Sequence, residues 1–432
     1  MLYYFLPREP ENRSALIAQT YFFVLLTGGA CCAGLLLFQD NLATFMNNPQ
    51  IVSYIHVLAI YTFLMIMSAF IEVLLIAEGK SHFSSIIKVI SEFFRGFSVV
   101  LTALLTRSIY AVFCALIVVA LTRCAFQWYY LRKEYGLSLR HIQWRGLKRQ
   151  LSYSLPVGCA TIAFLIQQKI DSFIVSFRFP PDIFALYAIG TYSSLPIVTI
   201  IMTPVANVMV PELSRCQKEG NVLRILSIWS GALRKTNLLL FPFFIFFFLV
   251  AEDFIVFLFT DQYLASVDVF RISLFIIILS GANADAILNV YAETRYQMKI
   301  ALVRIPVTIG LLYVFIDLWG ICGATAAHVL SFSAFRFVML VKSARVIGVP
   351  LLELLQVGVN CKIMAAAILA GCAILLMKMV FDLSQLWMLV VSAPVFLVVF
   401  IVAALKLNVV ARSEIMACFL RVMPEVFRRK CA

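Results

Sequence analysis

The stretch RKTNLLLFPFFIFFFLVAED, residues 234–253, decides the fold of this protein. Its middle is almost wholly apolar, and the length of this apolar run is close to the roughly 20 residues that a helix needs to cross the hydrocarbon layer. Two basic residues precede the apolar run, and two acidic residues follow it. A segment inside lipid must satisfy its own backbone hydrogen bonds, so the stretch predicts a transmembrane α-helix with oppositely charged ends.

Apolar runs of this kind recur along the whole chain, separated by short polar breaks. Hydrophobic residues make up 63% of the sequence and charged residues only 13%, which is far from the balance of soluble domains. The pattern predicts an all-α polytopic membrane protein with twelve spans. They centre on Thr27, Thr62, Gly96, Ala120, Leu165, Val198, Phe244, Ile277, Leu311, Phe332, Ala370 and Val395.

The placement of charge gives the topology. The formal net charge is +13, and alternate connections carry opposite compositions. One side holds Arg8, Arg13, Lys80, 132–149, 215–235, Arg295, Lys299, Lys342, Arg345 and the basic tail, and the other holds Arg107, Arg178, Asp40, Glu252, Asp253, Asp261 and Asp382. The positive-inside rule then predicts cytoplasmic termini and an even number of spans. This excess of basic residues is a topology signal, so no nucleic-acid partner is expected.

The sequence contains no pattern typical of an enzyme or a metal site. Its eleven cysteines are scattered without a CxxC pair, and no histidine stands at metal-ligand spacing. We interpret His56 and His328 as packing or hydrogen-bonding residues, because neither has a carboxylate at catalytic spacing along the chain. Neither a cofactor nor a catalytic residue is predicted.

A shift of 213 to 215 positions brings the chain into register with itself. The matched pairs are Asp40 with Asp253, Glu72 with Asp285, Glu78 with Glu293, Lys80 with Arg295, and Arg123 with Arg336. Both copies have the same orientation relative to the charge bias, so the repeat is parallel, as in transporters whose two halves rock. The first-copy partners of the spans near Leu165 and Val198 would precede Met1, and we expect two helices to be missing there.

These observations predict three parts. Residues 1–150 form an incomplete lobe of four helices that ends in a basic cytoplasmic linker at 132–150, and residues 151–346 form a lobe of six helices. Residues 347–432 add a helix pair and a basic tail, in which 409–429 has the spacing of an amphipathic helix on the membrane surface.

Charged residues inside the spans are the candidate functional residues, since each costs roughly 2.5 to 3.5 kcal/mol near the bilayer centre on insertion scales. Lys88, Glu92 and Arg95 stand at positions i, i+4 and i+7 and share one helix face. The predicted interior holds the cations Lys88, Arg95, Lys169, Arg271 and Arg304 and the carboxylates Glu72, Glu92, Asp171 and Asp285. Cations of this kind suit an anionic headgroup, and the carboxylates suit coupling to protons or sodium.

A structural alternative stays open for these charges. Lys88 with Glu92, and Asp268 with Arg271, have the spacing of ion pairs that only hold helices together. Arg95 and Arg304 have fewer obvious local partners. Lys378 lies near the outer end of its span, where snorkelling explains it fully.

Two segments resemble bacterial oligosaccharide flippases of the Wzx-like family: YFLPREPENRSALIAQTYFF at 4–23 and AIGTYSSLPIVTIIMTPVANVMVPELSR at 188–215. The likeness continues through DQYLASVDVFRIS at 261–273 and AETRYQM at 292–298. The resemblance implies the fold of the superfamily that includes multidrug and toxin extruders (MOP/MATE), with two six-helix lobes and often two added helices. In this family two helices precede a YFLPR-like segment, which agrees with a shortened amino end.

The resemblance also implies a function. Such proteins flip polyprenyl-diphosphate-linked oligosaccharides across the bacterial inner membrane for O-antigen, capsule or exopolysaccharide synthesis, and work beside a polysaccharide polymerase and chain-length proteins. The diphosphate would then meet Arg95, Arg304, Lys169, Arg271 and Lys88. Two alternatives remain: a cation-coupled multidrug exporter, against which the basic interior argues, and a non-transporting scaffold of a glycan-assembly complex.

Overall fold

The computed structural model describes residues 13–46, 48–136, 144–192, 195–381 and 384–409. Within these ranges the regular structure is helical, and no strand occurs. The chain forms two compact units, Met1–Ile166 and Gln167–Ala432, and the boundary between them lies within a single long helix. The predicted all-α class is therefore confirmed, whereas the predicted domain limits stay a prediction.

The first unit is a small helical bundle. Its helices are α1 Arg13–Leu37, α2 Gln39–Phe45, α3 Ile51–Ser68, α4 Phe70–Ala77, α5 Ser81–Thr106 and α6 Ile109–Tyr135, followed by the first part of α7 Trp144–Arg178. Helix α3 packs against α1 and α6, and α5 packs against α6. Ile71, Leu74 and Leu131 lie at the centre of a buried cluster between α4 and α6.

The second unit is larger. It contains the end of α7 and then α8 Pro181–Tyr192, α9 Leu195–Lys218, α10 Val222–Leu249, α11 Ala251–Phe259, α12 Ser266–Leu274, α13 Ile276–Ser280, α14 Ala284–Val290, α15 Thr294–Ile347, α16 Leu351–Leu355, α17 Val357–Val380 and α18 Gln385–Lys406. Phenylalanines of the stretch 234–253 pack against α12 and α13, where Phe270 and Ile277 are fully buried.

Helix α15 is two helices joined at a sharp turn. Trp319 and Gly320 have non-helical backbone angles, and Gly320 has φ +59°, which favours glycine. A Cβ on Gly323 would lie 1.8 Å from the carbonyl oxygen of Phe315, so the turn also requires glycine there. Thr308 and Ser331, one on each half, are linked by a buried hydrogen bond of 2.5 Å. The predicted spans near Leu311 and Phe332 are these two halves.

The described residues contain nine segments that are long and apolar enough to cross a membrane. They include ten of the twelve predicted centres, because the segment Arg295–Ile347 contains two. The remaining centres, Leu165 and Val198, lie in α7 and α9, which are outside those nine segments. A total of twelve spans stays a prediction.

The backbone follows the predicted repeat. A positive φ occurs at Gly79 and Ala292, and again at Arg107 and Gly320, and each pair is 213 positions apart. Breaks within spans follow the same spacing, since α3 gives way to α4 at Ala69 and α13 gives way to α14 across 281–283. Both copies therefore bend their chains at matching places.

The helix pair α17 and α18 is joined to α10 and α11 by polar contacts. The amide of Asn237 donates to Asn360 Oδ1 at 2.9 Å. Lys378 Nζ forms an ion pair of 2.6 Å with Asp253 and donates to the carbonyl oxygen of Leu249 at 3.1 Å. The interpretation that snorkelling fully explains Lys378 is thus wrong. The predicted amphipathic tail lies outside the described residues beyond 409.

Candidate functional site

A polar cluster is buried within the second unit, where α7, α8 and the second half of α15 meet. Asp171 of α7 is only 6% exposed. The fully buried Tyr187 of α8 donates its hydroxyl proton to Asp171 Oδ2 at 2.5 Å. His328 of α15 places Nδ1 3.4 Å from the same oxygen. One carboxylate oxygen is therefore shared by a phenol and an imidazole.

Several polar atoms of this cluster are left without a hydrogen bond. Asp171 Oδ1, His328 Nδ1 and Arg304 Nε are buried, and none finds a hydrogen-bonding partner in the part of the chain that the structure describes. Leaving such a group unsatisfied costs about 1–3 kcal/mol, and more when the group is charged. Natural proteins accept this cost chiefly where a ligand or a proton completes the site.

Arg304 lies on the first half of α15, close to this cluster. Its guanidinium is 5.5 Å from the ring centre of Phe332 and 5.4 Å from that of Phe335. Among the described carboxylates it has no ion-pair partner within 4.0 Å, although Asp171 acts on it electrostatically. Ring faces attract a cation but do not neutralise it. Arg304 is therefore a partly buried positive charge suited to an anion.

Arg336 adds a second guanidinium, 5.3 Å from the ring centre of Phe332. It forms an ion pair with Asp285, so its charge is balanced locally. The positive charges of Arg304 and Arg336 repel each other. An anion placed between them would relieve the repulsion while Asp285 stays in place.

The structure groups some of the predicted residues of the second unit and separates others. Lys169 interacts electrostatically with His328 and belongs to the cluster with Asp171 and Arg304. Arg271 does not join this cluster through any contact seen in the described residues. Its Nη1 is 3.8 Å from Asp268, and its guanidinium lies over the ring of Phe248.

The predicted residues of the first unit form two groups. Glu72 accepts a hydrogen bond of 2.6 Å from Arg123 and has Lys88 at 3.9 Å. Glu92 pairs with Arg95 instead, and both of these side chains are about two-fifths exposed. Lys88 thus contacts Glu72 rather than Glu92. Arg95, which was expected to have few local partners, thus has one in Glu92.

The pairs Glu72 with Arg123 and Asp285 with Arg336 are the same feature in the two copies. Each carboxylate stands in the first turn after a helix break, where the helix dipole favours negative charge. Each arginine comes from the last helix of its copy of the repeat. Both pairs therefore tie a broken span to that last helix.

A further ion pair, between Lys80 and Glu78, lies at the predicted cytoplasmic end of the first unit. Lys80 is 2.9 Å from Glu78 and donates to the hydroxyl of Tyr130 at 3.0 Å. The hydrogen bond to Tyr130 and, to a smaller extent, the hydrogen bond to Glu78 raise the pKa of Lys80. Lys80 therefore stays charged at physiological pH, in agreement with its use as a topology signal.

Sequence reasoning missed His328 and Tyr187 as members of the site. His328 has no carboxylate nearby along the chain, because Asp171 lies on another helix. The glycine at position 320 was the signal available in the sequence. A helical hairpin centred there places residue 304 opposite residue 336. No comparable signal links α8 to α7.

Three comparisons with known proteins bear on this arrangement. The family model described as "Polysaccharide biosynthesis protein" matches residues 4–268. The chain belongs to this family. No curated protein sequence gives a significant match.

Solved structures share the fold of this polysaccharide biosynthesis protein. The lipid II flippase MurJ in an inward closed conformation has a TM-score of 0.73 and 14% identity, covering 93% of this chain and 86% of the other. An inward-facing multidrug resistance MATE transporter of the MOP superfamily has a TM-score of 0.62 and 15% identity, covering 79% and 82%. A MOP superfamily transporter from Pyrococcus furiosus, described as having a binding pocket of reverse polarity, has a TM-score of 0.53 and 15% identity, covering 79% and 80%.

These findings confirm the predicted family and the MOP-type fold. The protein is a multi-pass helical membrane protein of the polysaccharide biosynthesis family. The structural neighbours are a flippase and MATE transporters, and the likeness shows that this chain shares their fold.

Proposed function

We propose that this protein flips a polyprenyl-diphosphate-linked oligosaccharide from the cytoplasmic to the outer leaflet of the bacterial inner membrane, for O-antigen, capsule or exopolysaccharide synthesis. Family membership supports a role in polysaccharide assembly, and the fold supports transport. The observation that carries the proposal is Arg304, a partly buried arginine whose Nε is buried without a hydrogen bond and which no described carboxylate pairs with.

The diphosphate headgroup is the part of the substrate that the site recognises. A guanidinium forms charge-assisted hydrogen bonds to phosphate oxygens, and these are strongest where water competes little. Arg304 takes the central role in this proposal, with Lys169 beside it. Arg95, Lys88 and Arg271 are further contacts of the headgroup at other stages of alternating access, and each would first have to leave its present carboxylate.

Coupling to an ion is assigned first to Asp171. Its unsatisfied Oδ1 is available to a proton or a cation, and it is close enough to Arg304 to influence the charge there. Glu72, Glu92 and Asp285 remain candidates for coupling. Each now contacts an arginine, and neutralising the carboxylate would release that arginine.

The orientation follows from the charge bias of the loops, with both termini in the cytoplasm. In that orientation the pair of Glu78 and Lys80 lies at the cytoplasmic face, where the substrate is loaded. The partners of the reaction are the lipid-linked oligosaccharide and the surrounding lipids. A polysaccharide polymerase and chain-length proteins would use the product on the outer side.

Export measurements in a deletion strain test the proposal. Deletion should leave lipid-linked oligosaccharide on the cytoplasmic leaflet, and the wild-type gene should restore surface glycan. Arg304→Ala and Arg95→Ala should each lose export at unchanged protein level, because a headgroup cation is removed. Arg224→Ala, at an exposed position on α10, is the matched control and should export normally.

Other outcomes would reject the proposal. Normal glycan with increased sensitivity to cationic dyes would identify a multidrug exporter. Loss of glycan without accumulation of lipid-linked oligosaccharide would identify an assembly scaffold. Full export by both arginine variants would remove Arg95 and Arg304 from the mechanism.

A further inference from the structure

We propose that Asp171 and His328 together hold one exchangeable proton, and that its uptake strengthens binding of the anionic headgroup beside Arg304. This inference rests on the proposed function, because the headgroup is the ligand whose affinity changes. It assigns a role to His328, which the sequence indicates only as a packing or hydrogen-bonding residue.

The geometry provides a place for the proton. His328 Nδ1 is 3.4 Å from Asp171 Oδ2 and has no hydrogen-bond partner among the described residues. A proton taken from water onto Nδ1 can be donated to that oxygen with a small side-chain movement. The hydroxyl of Tyr187 already donates to Oδ2 at 2.5 Å and keeps the carboxylate in position. No bond other than this N–H forms, and no group leaves.

The helices packed around this pair carry several charged and titratable groups. They are Lys169 and Asp171 on α7, Tyr187 on α8, Arg304 and Arg336 on the two halves of α15, Asp285 on α14 beside Arg336, and Asp268 with Arg271 on α12. Asp268 and Arg271 balance each other, as do Asp285 and Arg336. Lys169, Asp171 and Arg304 all act electrostatically on His328.

The ligand set favours a proton over a metal cation. Hard cations are held by several oxygen ligands, whereas the described side chains that contact each other here supply oxygens from Asp171 and Tyr187 alone. No group of three or more His, Cys, Asp or Glu side chains suited to a metal occurs among the described residues. Lys169 and Arg304 would also repel a metal ion. A proton needs only the one unfilled nitrogen.

An added proton and a bound headgroup stabilise each other. The proton adds one positive charge, and a headgroup anion within about 10 Å at an effective dielectric constant of about 20 gains on the order of tenfold in affinity. Binding energies are reciprocal, so the anion must promote proton uptake by the same factor. The headgroup is a diphosphate diester whose own charges do not change between pH 5.5 and 8, which leaves the protein as the source of any pH dependence.

Calorimetry on the purified full chain in detergent tests this with farnesyl diphosphoryl N-acetylglucosamine as the probe. Wild type should bind on the order of tenfold tighter at pH 5.5 than at pH 8. Repeating the titration in buffers of different ionisation enthalpy should show net proton uptake. His328→Gln keeps a polar side chain of similar reach but cannot titrate, so its affinity should be independent of pH with no proton uptake.

Asp171→Asn is the second variant, and it should also lose the pH dependence. His56→Gln, which changes a histidine of the first unit, is the matched control and should behave as wild type. Probe binding by wild type that is equally tight at both pH values, or that changes with sodium instead of pH, overturns this inference and leaves the proposed function intact. Absence of probe binding at every pH overturns the proposed function itself.

Discussion

Breaking the ion pair between Glu72 and Arg123 should destabilise the protein more than breaking its counterpart between Asp285 and Arg336. The side chains of Arg123 and Glu72 are 11% and 19% exposed, whereas those of Arg336 and Asp285 are 25% and 41% exposed. Removing one partner of a well-buried pair costs about 3–5 kcal/mol, and exposed pairs are worth about 0–1 kcal/mol. For Arg123→Met we expect about 3 kcal/mol, somewhat reduced because Lys88 stays near Glu72.

For Arg336→Met we expect about 1 kcal/mol, because water screens much of Asp285. The measurement is reversible unfolding in bicelles, with double-mutant cycles that include Glu72→Gln and Asp285→Asn. Each double variant replaces both the arginine and its carboxylate, so no charged group is left without its partner. The double variant should therefore lose less stability than the sum of the losses in the two single variants. Equal costs for the two arginine variants, or a larger cost for Arg336→Met, would refute the argument from burial.

Two further changes test the hairpin of α15 and the support of Asp171. Gly323→Ala places a Cβ against the backbone oxygen of Phe315 and should lower the free energy of unfolding by about 3 kcal/mol. Gly310→Ala, in the same helix with open space around it, should instead raise it by about 0.5–1 kcal/mol. Equal thermal unfolding of the two variants would contradict the tight turn at Gly323. Tyr187→Phe removes a hydrogen bond to a buried carboxylate and should cost about 1.5–3 kcal/mol in the same assay, whereas the exposed control Tyr313→Phe should be near neutral. A neutral Tyr187→Phe would show that Asp171 is not held by this contact.

Much of the fold was predictable because membrane helices are encoded by runs of adjacent residues. The stretch around Phe244 identifies its own span, and the pairs Glu72 with Asp285 and Arg123 with Arg336 revealed the duplication before any contact was known. The spans near Leu165 and Val198 were predicted from the same kind of apolar run, and they lie in the helices α7 and α9.

The candidate site was predictable only in part. Buried charge pointed to Asp171 and Arg304, because such residues are costly in lipid wherever their partners are. The partners themselves depend on how helices rotate and bend. Lys88 contacts Glu72 on another helix instead of Glu92 one turn away, and His328 contacts Asp171 far along the chain. Helical spacing contains no information about such contacts.

The repeat also shows how the two copies have diverged. The turn at Gly320 has its counterpart at Arg107, yet the positions that match Arg304 and His328 are Ser91 and Ala115. One ancestral hairpin thus gave rise to two descendants, and only the later one in the chain gained this ionisable centre. Both copies therefore keep the same helix breaks and turns, whereas the ionisable cluster is present in the second copy alone. Substitutions that change substrate choice can accumulate in that copy without disturbing the scaffold that the two copies share.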